Sequence, residues 1–432
     1  MDKGASTSAY QAEILFGEDD DMGAGNANTP DLRDSDLYVD HAPYEVFAAL
    51  RKSDPVYWNP EDDGPGFWSL TKYDDIVEVS RQPLLFSSAH ENGGHRIFNE
   101  NEIGLTGSGQ SAIGIPFISI DPPVHTQYRK VVMPAVAPGR LAGIEERVQQ
   151  RCAMLLDKVP LGETVDIVPL LSAPLPLLTL CELFDLPSDM WESLYEWTNA
   201  FVGEDDPDFR QSPEKVAAIF GAFFAFAQEL FNDRRANPGN DLATLFANAE
   251  INGKLVDYKE FLGNMVLALV GANETTRNSI SHTIAAFAAN PDQWDLLRAK
   301  PELLNTAVRE MVRYASPVMH MRRTATADTE IRGQKIAKGQ KVVMWYISGN
   351  RDEDIFPDAD RFDISRGNIQ HLGFGSGQHV CVGSRLAEMQ LRVVFGRLLP
   401  YVQRFEITGT PRRFRSNFIN GLKNLDVKMV PA

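Results

Sequence analysis

The chain has 432 residues, with 42 Lys and Arg against 59 Asp and Glu, a formal net charge of −17, and 43% hydrophobic and 23% charged residues. That composition excludes a disordered, collagen-like or disulfide-stapled chain, and a core of this size needs no disulfide or structural metal. The acidic balance argues against nucleic acid, whose phosphates would be repelled. Residues 1–60 hold 4 basic and 12 acidic side chains, whereas residues 361–432 hold 11 basic and 4 acidic, so one region presents a positive face on an acidic protein. Cys152, Cys181 and Cys381 are odd in number and widely spaced, which favours a reducing compartment over a disulfide framework. The N-terminus has no apolar leader and no apolar run reaches membrane-span length, so a cytoplasmic protein without a membrane span is expected.

In chain order, residues 1–32 are polar and acidic and read as a disordered tail, with one domain expected over 33–432. Val56-Tyr57-Trp58 and Phe67–Leu70 flank a Pro/Gly/Asp turn and predict a hairpin. Residues 87–117, rich in Gly, Ser and Asn, predict a long loop of the kind that is functional or mobile. From Gly139 to Asn290 the pattern is mostly helical, and Asp257 with Glu260 has capping-box spacing at the head of a helix that runs to Asn290, just before Pro291. A helix of that length spans ~50 Å at 1.5 Å per residue and should be buried on several sides. A second helix is expected from about Pro301 to Tyr314. Then Glu330–Ile336 and Gln340–Ile347 alternate as strands around Lys338-Gly339. A last helix is expected from just after Cys381 to about Val402. The fold class is mainly α with a smaller β-rich part.

The chemistry concentrates in Phe374-Gly375-Ser376-Gly377-Gln378-His379-Val380-Cys381-Val382-Gly383. Its glycines let the backbone turn tightly and approach a flat ligand. Cys381 stands where a helix begins, and the free N–H groups of a helix start favour thiolate over thiol. A thiolate so placed suits an axial ligand of haem iron.

This string resembles the haem-binding signature of the cytochrome P450 family, whose thiolate ligates the iron. Two further stretches match in chain order. Glu310-Met311-Val312-Arg313 resembles the family's E-x-x-R motif, and Phe362–Arg366 resembles the stretch that supplies that glutamate with a second arginine. A carboxylate held between two guanidiniums stays ionised when buried, so these residues are assigned to folding. Gly271-Ala272-Asn273-Glu274-Thr275-Thr276 resembles the oxygen-activating stretch of the family, with Ala272 where glycine is common. The resemblance covers residues from about 40 to the C-terminus.

Several roles follow as expectations from the resemblance. Cys381 would be the iron ligand of haem b, the cofactor. Thr275 and Glu274 would handle protons in catalysis. His125, Arg129, Arg323 and His379 would meet the propionates, and Phe374, Gly375 and Ala272 would also border the cofactor. The substrate face is expected at Leu267, Val270 and Gly271, then Val318, Met319 and Ile419. The expected activity is haem-thiolate monooxygenation of an apolar small molecule with O2. Electrons are expected from a ferredoxin and its reductase, docked on a patch containing Arg129, Lys130, Arg385 and Arg392. Stretches such as Met319–Ala325, Val343–Tyr346 and Ser384–Gln390 look most like bacterial terminal hydroxylases of alkanes and fatty acids. Ala327–Glu330 and Arg332–Gln334 are shared with terpene hydroxylases of soil bacteria. The implied substrate is therefore an alkane, fatty acid or alcohol first and a terpenoid or aromatic second. A haem protein without catalysis, such as a gas sensor, is the alternative from another class, and the Glu274-Thr275 pair argues against it.

Overall fold

The computed structural model describes residues 31–62, 64–97, 113–202, 206–209 and 212–432. Residues 1–30 of the expected tail and 98–112 of the expected loop lie outside the described residues. The packed chain starts slightly earlier than expected. Leu32 is buried and its N–H donates to Asn59 Oδ1 at 2.9 Å, so Asp31 and Leu32 belong to the folded part.

Six helices position the site: α1 (Val124–Val132), α2 (Pro138–Leu156), α3 (Pro174–Phe184), α4 (Tyr258–Ala289), α5 (Leu304–Ala315) and α6 (Ser384–Leu398). The 32-residue α4 begins as its sequence predicts. Asp257 accepts from Glu260 N at 2.9 Å, and Glu260 returns the bond to Asp257 N at 2.8 Å. It packs against α3, α5, α6 and the helix Trp191–Val202, which explains why polar residues at its centre are buried as well as apolar ones. Helix α5 stops at Ser316, whose left-handed φ of 40° precedes Pro317.

The larger sheet has five strands: β1 (Val56–Asn59), β2 (Phe67–Leu70), β3 (Phe86–Ser87), β4 (His320–Ala325) and β5 (Lys341–Trp345), in the order β1-β2-β5-β4-β3. The β1–β2 hairpin is in the expected place, and only the β2–β5 pair is parallel. Alternation along β5 sorts its side chains: Val342 and Met344 enter one apolar cluster, Val343 and Trp345 the other. Met321 and Arg323 share one face of β4 by the same period.

Two expected elements are cut shorter. Glu330–Ile336 is a hairpin of Thr329–Ile331 and Gln334–Ile336, because Arg332 and Gly333 both adopt positive φ and turn the chain. The last helix ends at Leu398, and Val402 opens a strand, Val402–Ile407, that pairs with Asp426–Pro431. Apolar residues continue through this junction, so periodicity alone did not mark it.

Candidate active site

A cavity of ≈ 250 Å³ lies between the Cys381 loop on one side and the middle of α4 on the other. The loop is a tight wrap. Cys381 N donates to Phe374 O at 2.8 Å, and Gly377 has a φ of 68° with its α-carbon so close to Ser80 that an added Cβ would sit 2.0 Å from the Ser80 carbonyl oxygen. Cys381, Phe374 and Gly375 all line the cavity. Burial of the Cys381 sulfur pushes the thiol up, opposed by the backbone N–H groups of Gly383 and Ser384 and by the Arg129 charge. The donors expected from a helix start are present, yet desolvation outweighs them in the free thiol, and a cation bound at the sulfur would favour the thiolate.

Four cationic or donor side chains gather at the cavity edge: His125, Arg129, Arg323 and His379. The His125 and His379 rings stack with centroids 3.9 Å apart. His125 is buried, and neither of its ring nitrogens has a hydrogen-bond partner among the described residues. Burial and the Arg129 charge push it down to about 4, and burial with the Arg323 charge likewise lowers His379. Arg129 donates to Val380 O at 2.6 Å and Arg323 to Arg322 O at 2.7 Å, each using part of its guanidinium. His379 Nε2 lies 3.2 Å from Ser88 Oγ, so of the four it is His125 whose buried ring is left without a partner among the described residues, a state that costs free energy unless a ligand meets it. The set fits a flat ligand carrying two carboxylates, with Cys381 beneath a metal. Among the described residues no group of three or more His, Cys, Asp or Glu is placed to hold a metal ion. Haem fits this donor set.

Opposite the sulfur, Gly271, Ala272 and Thr275 of α4 line the cavity. Thr275 Oγ1 donates to Gly271 O, four residues back, at 2.7 Å. Glu274 does not line the cavity. Its side chain is fully buried, accepting from Arg277 Nη1 at 3.0 Å and Asn273 Nδ2 at 3.1 Å, while its Oε2 has no partner. Burial raises its pKa against the pull of Arg277.

The structure brings only some residues of the expected substrate face to the cavity. Leu267, Gly271 and Val318 line the cavity. Val270 does not, because the stripe on α4 runs 264, 267/268, 271/272 and 275/276, and residue 270 lies about 100° off it. Met319 is fully buried against Trp345 and Ile347, and Ile419 bridges Val318 from behind. Met321 on β4 takes the place expected of Met319. Phe117, Ile118, Ala268 and Asn264 also line the cavity and were not anticipated; Asn264 lies on the same helical stripe as Leu267 and Gly271, and that spacing was the available signal. Among the expected docking residues, Lys130 and Arg385 are exposed, Arg392 sits 3.9 Å from Glu388, and Arg129 is turned into the cavity and is removed from the patch. The described residues contain no helix long and apolar enough to cross a membrane.

The Cytochrome P450 family model matches residues 296–419. The chain is 67% identical to Linalool 8-monooxygenase of Pseudomonas putida across 93% of its own length and 99% of the relative's. It is 37% identical to the Methyl-branched lipid omega-hydroxylase of Mycobacterium bovis over 88% of this chain and 90% of that one. The structure of cytochrome P450-153 from Novosphingobium aromaticivorans superposes with a TM-score of 0.81 at 35% identity, covering 92% of this chain and 98% of that one. With a cysteine loop, a rim of arginine and histidine side chains and an apolar wall meeting at one cavity, and with likeness of this extent, the chain belongs to the cytochrome P450 family and is a haem b monooxygenase of apolar substrates.

Proposed function

We propose that this enzyme hydroxylates a terminal methyl of an acyclic, methyl-branched terpenoid alcohol, linalool or a close analogue. The observation that carries this reading is the 67% identity, over nearly the whole chain, to a protein named for oxidation of linalool at position 8. Position 8 of linalool is a chain-end methyl, and the omega position in the second relative's name is likewise a chain end. The first name favours the terpenoid over the alkane, fatty acid or alcohol that the sequence stretches suggested first, and the second is compatible with a methyl-branched chain. An apolar cavity bounded by Phe117, Ile118, Leu267, Ala268, Val318 and Met321 supports a hydrocarbon occupant.

Haem, when bound, supplies oxygen activation: O2 is reduced with two electrons and two protons, one oxygen atom entering a C–H bond and the other leaving as water. Cys381 anchors it, and the Phe374–Cys381 wrap holds the sulfur still. His125, Arg129, Arg323 and His379 hold its carboxylates. Thr275 carries a movable proton at Oγ1, and breaking its bond to Gly271 O frees that hydroxyl toward the cavity. Glu274, sealed behind α4 with Arg277, resupplies the proton from the far side. The apolar wall excludes water from the reacting carbon. Electrons arrive from a ferredoxin docked near Lys130 and Arg385.

Titration of the purified holoprotein with linalool, a medium-chain alkane and a fatty acid tests the reading through the substrate-induced Soret shift, followed by turnover with a ferredoxin and its reductase. Linalool should give the tightest shift and a product oxidised at the end methyl. No shift and no oxygenated product from linalool would refute it.

A further inference from the structure

The apolar wall over the cavity carries a polar exception far from the oxygen-handling threonine. Asn264 is buried, lines the cavity, and stands on the same stripe of α4 as Leu267, Gly271 and Thr275. Two backbone contacts fix its orientation. Its Oδ1 accepts from Phe117 N at 2.9 Å, and its Nδ2 donates to Glu260 O at 2.8 Å. The oxygen end and the amide end are therefore unambiguous, since a backbone N–H only donates and a backbone carbonyl only accepts. An amide has two N–H bonds, and the second meets no acceptor among the described residues. A buried donor left in this state costs free energy unless a ligand meets it.

We propose that this second N–H of Asn264 receives the substrate's hydroxyl oxygen and so decides which end of the molecule reaches the reacting position. The inference rests on the terpenoid reading above. Seven residues separate Asn264 from Gly271, about 10 Å along the axis at 1.5 Å per residue. In extended linalool six bonds join the end methyl to the oxygen, a reach of ~7.5 Å for bonds of ordinary length, and a hydrogen bond adds about 3 Å. An alcohol bound at Asn264 therefore delivers its far methyl to the level of Gly271, one turn from Thr275. The other polar side chains of α4 on the cavity, Thr275, Thr276 and Ser279, lie at or beyond the reacting level and cannot hold the far end. Phe117, whose N–H is bonded to the same asparagine, lines the cavity beside this contact.

The test uses the holoenzyme with two ligands, linalool and the same carbon skeleton lacking the hydroxyl. The wild type should bind the alcohol about tenfold more tightly in a Soret titration, as expected for one neutral hydrogen bond in a dry site. It should oxidise the alcohol at one end methyl and the hydrocarbon at several positions. In Asn264→Leu and Asn264→Ala the tenfold preference should fall to about twofold or less, and the alcohol's products should scatter as the hydrocarbon's do. A variant that only loosens Phe117 weakens both ligands alike and leaves the ratio intact, which overturns the proposal. Equal binding of the two ligands by the wild type, or the same single product position from both, overturns it without any variant. If neither ligand shifts the Soret band, it is the terpenoid reading that fails instead.

Discussion

Two buried glutamate–arginine pairs, each spaced i, i+3 on a helix, do opposite things in this molecule. Glu310 on α5 is saturated. Its oxygens accept from Arg313 at 2.6 and 2.8 Å, from Asp363 N at 2.8 Å and from Arg366 Nε at 3.4 Å. Arg313 spends its remaining donors on the carbonyls of Asn350, Ala359 and Arg361. Glu274 on α4 has only Arg277 and Asn273, and both its Oε2 and Arg277 Nε lack a partner. A pair with every donor and acceptor met locks separate segments together, whereas a pair left incomplete in the interior retains a cheap way to rearrange. The first ties the C-terminal irregular region to α5. The second lies one residue from the threonine that lines the cavity.

Removing a member of each pair should break this contrast most visibly. Glu310→Ala leaves Arg313 buried without its anion and should cost roughly 3–5 kcal/mol in urea unfolding, enough to deplete folded holoprotein. Glu274→Gln keeps an oxygen that accepts from Arg277, so its unfolding free energy should change by about 1 kcal/mol or less. Its product formation should nevertheless fall ~100-fold with an enlarged solvent isotope effect, the size expected for loss of a proton-transfer group. A large stability loss with unimpaired turnover would place Glu274 in the structural class instead.

The pH dependence sharpens the same contrast. Burial raises the Glu274 pKa above its ordinary 4.5. The folded state therefore favours the protonated carboxyl, and that contribution is whole below the ordinary value and lost as pH climbs through the raised one. Glu274→Gln is neutral throughout, so its melting temperature should gain on that of the wild type as pH rises across this interval. A constant difference between the two curves would contradict the incomplete pairing. The smallest effect belongs to the exposed charges. Lys130→Ala and Arg385→Ala should each weaken ferredoxin-supported turnover about two- to threefold at low salt and leave it unchanged at high salt.

Local chemistry was the legible part of the sequence. Asp257 with Glu260, the Cys381 wrap and the Glu310–Arg313 pair depend on residues at fixed spacing and stand together in the fold, while the meeting of Arg366 with Glu310 was implied by the family resemblance. What escaped was direction. Glu274 and Thr275 are neighbours, yet a 100° step per residue turns one into the interior and the other to the cavity. Met319 and Ile419 are apolar and close to the site in sequence, but Trp345 and Val318 claim them. Asn264 stands in the sequence as a polar break in the apolar run Phe261–Ala272, and its helical spacing with Leu267 and Gly271 alone does not reveal the contact it makes with Phe117.

The central claim is that Cys381 binds haem iron as thiolate, and the difference spectrum of the reduced, carbon-monoxide-treated protein tests it most directly. The wild type should show the long-wavelength Soret band of thiolate-ligated iron, and Cys381→Ser should lose that band and its hydroxylase activity while the fold persists by circular dichroism. Absence of the band in well-folded, haem-loaded wild type, or its survival in Cys381→Ser, would contradict the assignment.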